Sequence, residues 1–266
     1  MKKQVYRLLV IILFNVVLMN NLFAQENNNG IIKYQKITKH DFEEMFKGRG
    51  DNPRRAEMLA SLPKQSTSGN VLYFSEKYAL FEEDLNASTD VDPRLQHVFG
   101  RMSFFRPPFP ELNKVYYNIQ KDEKLHQIDF MTRKFRITNP EENKAWKFVN
   151  KMVKIQGYTC TQAELKEDDD IITAWFTSEI PLSIGPGKYS GLPGAILAIE
   201  KNGETMFLAT SVEIVKPEKS NLKKPKEGKK VSEEEFSKIM DEKIKEWEEQ
   251  RSKRMENRRM GGRHHR

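Results

Sequence analysis

Apolar and polar positions along this chain recur mostly in pairs rather than in threes and fours. Ile31 to Thr38 alternates weakly and predicts a first strand. Val71–Ser75 and Tyr78–Glu83 are apolar and aromatic, separated by Glu76-Lys77, which reads as a hairpin or a kink. Lys114–Ile119, Leu125–Met131 and Lys134–Thr138 follow as short strands, then Trp146–Val149 and Met152–Ile155. Tyr158–Leu165, Ile171–Ser178, Ala195–Lys201 and Thr205–Val215 complete the set. Between them stand turn signals: Lys121-Asp122, Gln156-Gly157, Asp168-Asp169-Asp170 and Asn202-Gly203. Asn-Gly between apolar runs is the strongest of these, because both residues accept the positive φ that a tight hairpin needs. Arg106-Pro107-Pro108-Phe109-Pro110 cannot be a central strand, since each proline removes a ladder donor. The expected fold is mainly β: a curved antiparallel meander, as an open half-barrel or a sandwich.

Two stretches carry a helical pattern instead. Asp41 to Phe46 forms a short helical candidate, and Asn52 is placed to cap a second, with Pro53 at its first position and Pro63 after its end. Near the C-terminus, Ser232-Glu-Glu-Glu235 reads as a capping box, and Phe236, Ile239, Met240, Ile244 and Trp247 fall on one face of an amphipathic helix over 232–260. Residues 216–231, rich in Lys, Pro and Glu, read as a charged linker, and 261–266 as a basic tail.

The chain opens differently. Lys2, Lys3 and Arg7 precede an apolar run from Leu8 to Leu18, broken by Asn15, and Leu22 and Ala24 offer a small-residue cleavage site. That order predicts a cleaved signal peptide over 1–24, ahead of a β domain over 25–215. The apolar run is short for a spanning helix of roughly 20 residues. No Cys stands at the cleavage site to take a lipid. The expected address is the periplasm.

Charge sharpens the division. The chain is formally +7, and residues 216–266 hold 17 basic and 11 acidic groups. The basic character therefore belongs to the C-terminal region, which points to membrane-surface contact through the basic helix and not to nucleic-acid binding by the β domain. The single cysteine, Cys160, excludes an internal disulfide.

Candidate chemistry is sparse. There is no Gly-x-Ser-x-Gly elbow and no catalytic setting for His40, His97, His126, His264 or His265. The triple Asp at 168–170 lacks the glycine and terminal glutamate of a Ca²⁺ loop and reads as a turn. Cys160 shares a strand face with Tyr158 and Gln162; it is either a thiol ligand for a soft metal such as Cu(I) or a small buried hydrophobe. Met255, Met260, His264 and His265 are copper-type ligands crowded by arginine. Trp146, Tyr158 and Trp175 are candidates for a ligand-binding face, or for core.

The most specific element is Gly185-Pro-Gly-Lys-Tyr-Ser-Gly-Leu-Pro-Gly-Ala-Ile-Leu197. Leu192-Pro193-Gly194 asks for a type II turn with positive φ at the glycine. This segment resembles the signature of the GLPGLI family, exported proteins of Bacteroidota-type bacteria, here as Gly191, Leu192, Pro193, Gly194, Ala195 and Ile196. Ala195 stands where the name motif has Leu. Trp146, Ile155 to Cys160 with Ala163, Ala174 to Thr177, Ile180-Pro181 and Gly185-Pro186 extend the resemblance, which spans residues 30–215 and is strongest from 146 to 199. The resemblance implies an envelope protein associated with an outer-membrane TonB-dependent transporter; together with the export signal, the β pattern and the lack of a catalytic constellation it leads to the expectation of a non-enzymatic binding or accessory module without cofactor, for an apolar ligand or a transport partner. The motif itself reads as backbone geometry rather than as a catalytic site. Copper or other soft-metal handling and an unrecognised hydrolase are the alternatives.

Overall fold

The computed structural model describes residues 28–42, 52–87, 92–95, 108–140 and 145–261. Twelve strands form one open sheet in the order β12-β6-β5-β4-β3-β2-β1-β11-β10-β9-β8-β7. They are β1 (Gly30–Lys39), β2 (Gln65–Phe74), β3 (Tyr78–Glu83), β4 (Glu111–Asn118), β5 (Glu123–Phe130) and β6 (Arg133–Thr138). Then come β7 (Lys147–Ile155), β8 (Tyr158–Glu167), β9 (Asp170–Thr177), β10 (Ala195–Lys201), β11 (Glu204–Glu213) and β12 (Lys229–Val231). Two meanders, β2–β6 and β7–β11, are joined by the first strand: β1 pairs antiparallel with β2 on one side and with β11 on the other. The predicted open half-barrel corresponds to a single open sheet.

Local chemistry accounts for the turns. Gln156-Gly157 (φ 50° and 86°) and Asn202-Gly203 (φ 51° and 80°) both take two successive left-handed residues. That twist matches the flanking strands. Asp122 and Asp168 also adopt positive φ. The stretch predicted as two strands, 146–149 and 152–155, is one strand. A register shift between Val149 and Met152 absorbs Asn150 and Lys151 as a bulge, which is why its alternation breaks.

One face of the sheet, called inner here, carries the main core: Ile32, Tyr34, Leu72, Phe74, Phe81, Val115, Tyr117, Ala174, Phe176 and Ile199 are all buried there. The curl is marked by side chains that reach across strands. Tyr34 Oη on β1 donates to the Ile196 carbonyl on β10 (2.6 Å). Gln156 Nε2, at the β7–β8 turn, donates to the Ala209 carbonyl on β11 (3.2 Å).

The opposite, outer face holds a smaller cluster of Leu80, Tyr116 and Leu125. Part of the segment expected as a linker lies over it. A 3₁₀ turn, Lys219–Leu222, touches β2 and β3. The chain then runs as a strap to β12, which pairs in parallel with β6. Lysine-rich composition pointed to a linker, but this segment is held through its backbone. Arg136 donates from Nε to the Gly228 carbonyl (3.0 Å) and from Nη1 to the Pro225 carbonyl (3.5 Å). Gln127 Nε2 donates to the Glu227 carbonyl (3.1 Å). Gly228 sits at φ 102°, and a Cβ there would lie 2.8 Å from the Lys134 backbone.

Two helices among the described residues follow their caps. In α1 (Pro53–Ala60), Asn52 Oδ1 accepts from the Arg55 amide (3.2 Å) and Pro53 opens the helix. The helical candidate at Asp41–Phe46 lies largely outside the described residues, as do the signal-peptide stretch and His97. In α2 (Glu233–Gly261), Ser232 Oγ accepts from the Glu235 amide (3.0 Å) and Glu235 reaches back to the Ser232 amide (3.3 Å), completing the capping box. Its first turns dock Phe236 on Phe130, Phe135, Ile137 and Val231, with Ile239 and Met240 beside them. Among the described residues no helix is long and apolar enough to cross a membrane.

Candidate functional site

Between β9 and β10 the chain leaves the ladder and folds into the inner face. In this loop, residues 178–194, Ile180, Leu182, Ile184, Tyr189 and Leu192 are buried while Pro181, Ser183 and Pro193 point outward. The alternation resembles a strand, but the backbone is pleated by i→i+2 bonds: Leu182 N–H to Ile180 O (2.8 Å), Ile184 N–H to Leu182 O (2.9 Å) and Gly194 N–H to Leu192 O (2.8 Å). These are the tight bonds of γ-turns.

The last bond corrects the expected type II turn at Leu192-Pro193-Gly194. Gly194 does not take positive φ; Gly191 does, at 93°. Glycine is required at 194 for space: a Cβ would lie 2.1 Å from the Thr177 carbonyl oxygen. At Gly185 a Cβ would meet the Tyr189 carbonyl oxygen at 2.6 Å. The motif glycines and Pro193 therefore seat one backbone against another. Ala195 begins β10 fully buried, and Ile196 N–H bonds the Ile184 carbonyl (2.9 Å).

The loop also ties the two halves of the sheet together at Ser190. Lys124 Nζ on β5 donates to Ser190 Oγ (2.6 Å), and Trp146 Nε1, just before β7, donates to the Ser190 carbonyl (2.9 Å). Tyr117 Oη on β4 lies 3.4 Å from Gly185 O and 3.5 Å from Gly187 O. A lysine on a serine invites comparison with Ser–Lys nucleophiles. Here Ser190 is only 6 % exposed, and the neighbouring Gly191 N–H, the donor an oxyanion would need, is given to Ser183 Oγ (2.8 Å). The contact is a tie.

Beside the loop tip, Gly187-Lys188-Tyr189, opens a cleft of ≈ 1020 Å³. Phe81 and Phe207 belong to its apolar lining, and Tyr73, Tyr189 and the 64 % exposed Phe109 add aromatic surface. Lys36, Lys114 and Lys188 stand with Glu82, Glu83, Asp84 and Glu111 along it, and Lys114 pairs with Glu82. Asn70 Oδ1, also on this lining, is buried without a hydrogen-bond partner, while its Nδ2 donates to Glu82 O (3.4 Å). Tyr73 and Tyr189 hydroxyls are both pushed above the ordinary phenol value, first by burial and then by nearby carboxylates.

The residues singled out from sequence are dispersed. Trp146 is a tie to the loop. Tyr158 packs half-buried at the edge of the main core. Trp175 alternates with the inward Ala174 and Phe176, and its Nε1 donates to Glu200 (3.3 Å). None of the three lines the cleft. Cys160 is fully buried, and burial pushes its thiol up to about 11. A thiol so poorly ionised is a weak ligand and a slow nucleophile. Met255 is 45 % exposed on α2; Met260 lies further along that helix, and His264 and His265 fall outside the described residues. Among the described residues no three His, Cys, Asp or Glu side chains gather as a metal site. Lys124, Ser183, Ser190 and Phe109 were not marked by sequence; nothing in spacing links Lys124 to a serine 66 positions away.

Residues 118–198 match the family described as Protein of unknown function (Porph_ging). The matched stretch runs from the end of β4 into β10 and contains the whole loop. No curated protein matches the chain. Among solved structures, PNGF-II in space group P21 is similar at 15% identity with a TM-score of 0.48, covering 80% of this chain and 33% of that one. The same protein in space group C2 gives 14%, 0.47, 80% and 32%. This chain spans about a third of the length of those chains.

Proposed function

We propose that this protein is a non-enzymatic periplasmic module of the GLPGLI type that holds a segment of a partner protein in the cleft beside its motif loop. The observation that carries the reading is how the inner face is used. The apolar interior that a lipid-like ligand would need is occupied by Ile180, Ile184 and Leu192 of the chain's own loop. The accessible concavity is instead lined by aromatics, lysines and carboxylates. Such a surface suits a polypeptide, which brings apolar and aromatic groups together with side chains of both signs. An outer-membrane transport partner fits the export signal and the family resemblance.

The test is a photo-crosslinking amino acid at Phe109, with one at Ile171, exposed and away from the cleft, as the control. Expressed with export, the Phe109 variant is expected to give one defined crosslinked polypeptide and the Ile171 variant none. Native mass spectrometry of the purified chain is expected to show the bare protein mass. A stoichiometric co-purified lipid, or equal crosslinking from both positions, overturns the reading.

A further inference from the structure

The sheet ends in β7, and this edge is unlike the other. At the far end β12 is three residues long and leads straight into the docked start of α2. By contrast β7 is nine residues long and pairs only with β8. Among the described residues no backbone hydrogen bond covers its outer side. Its side chains are also open: Phe148 is 63 % and Met152 64 % exposed, with Val153 at 39 %. Phe148, opposite Ala163 in the ladder, makes an edge-to-face contact with Phe176 (5.8 Å) and stays largely open.

Lys147, Lys151 and Lys154 are interleaved with these apolar positions, all exposed and none in an ion pair. Glu164 lies opposite Lys147 across the ladder, but it accepts from Gln162 Nε2 (2.9 Å). The strand contains no acidic residue.

We propose that β7 is a docking edge for an extended acidic polypeptide segment, which adds to the sheet as a further strand. Unpaired N–H and C=O groups on an edge supply the backbone half of such recognition, and alternate side chains supply selectivity. Here the three lysines select carboxylates, while Phe148 and Met152 offer apolar contact between them. The same lysines exclude a second copy of this chain, because two β7 edges laid together would set lysine against lysine. The bulge at Asn150-Lys151 divides the pairing into two short stretches, so the added strand is held reversibly.

The experiment uses the full chain and three fluorescent peptides: alternating Val and Glu, alternating Val and Lys, and the Val–Glu peptide N-methylated at alternate residues. The Val–Glu peptide is expected to bind saturably, to weaken as salt is raised, and to protect Met152–Ile155 amides from hydrogen exchange. The Lys147→Glu, Lys151→Glu, Lys154→Glu triple variant is expected to lose the Val–Glu peptide by at least about tenfold and to take up the Val–Lys peptide. The N-methylated peptide, which keeps the charge but cannot complete the ladder, is expected not to bind. Equal binding of that peptide, protection outside β7, absence of saturable binding, or self-association of the full chain through β7 would each overturn the proposal. Should the triple variant fail to fold, the N-methylation comparison on the unaltered chain decides alone.

Discussion

Two irregular segments lie against opposite faces of this sheet, and they are held by different forces. The motif loop, 178–194, packs inward with Ile180, Ile184 and Leu192 almost wholly removed from water. The strap, 216–228, lies outward, mostly exposed, and is held by side chains that grip its carbonyls and by ion pairs such as Lys134 with Glu227. Apolar burial is non-directional and scales with area, whereas each exposed polar grip contributes little alone. The loop should therefore fail with the core, and the strap should lift by itself.

The harshest test of the loop is Gly194→Val. With backbone 2.1 Å from the new Cβ there is no flexible neighbour to yield, and a loss of at least about 3 kcal/mol is expected in urea unfolding. Next is Leu192→Ala, where removing a 1 % exposed side chain is expected to cost about 3 kcal/mol by the same measurement. An unchanged midpoint in either would mean that the loop is not part of the cooperative core.

For the strap, Arg136→Ala removes the donors to Gly228 and Pro225. An expected loss of about 1–2 kcal/mol should appear as faster amide exchange across 225–231, with little change in β8–β10. The smallest effect belongs to Lys134→Ala, which breaks an exposed ion pair and is expected to leave the unfolding midpoint unchanged.

Cys160 serves as a reporter between the two regions. Burial raises its thiol from 9.0 to about 11, so the folded state favours the protonated form. That contribution to stability is complete below pH 9 and is lost as pH climbs towards 11. At pH 8, labelling by a disulfide reagent is expected only through opening of the core. Leu192→Ala should accelerate it and Arg136→Ala should not.

The same contrast explains what could be read from sequence. Most of the strands, the two-residue turns at Gln156-Gly157 and Asn202-Gly203, and both helix caps follow from local propensity and are found at the predicted places, whereas the polar first half of β2, the single strand β7 and the short β12 are not legible that way. In the 185–197 segment, glycine at 185 and 194 is required by close backbone approach. Local turn rules do not reveal this, because the constraint on Gly194 comes from Thr177, which they do not include. The strap has the composition of a linker, and the partners that hold it, Gln127 and Arg136, lie some 90 to 100 positions away, beyond the reach of local pattern. The cleft was hidden for the same reason: its wall is assembled from β2, β3, β4, the loop and β11. Ser190 carries no local signal, because the groups that meet it, Lys124 and Trp146, lie 66 and 44 positions away.

The position of β1 bears on how the chain reaches this state. Each meander can zip from neighbouring hairpins, but β1 must find β11, with Ile31 opposite Glu213. Closing so long a loop costs chain entropy before any contact rewards it, and non-local pairing of this kind is slow. The two meanders are thus expected to form early as separate units, and the β1–β11 seam to form last, once nearly all of the sheet-forming chain has been released. The sheet is therefore not completed until β11 is available to pair with β1.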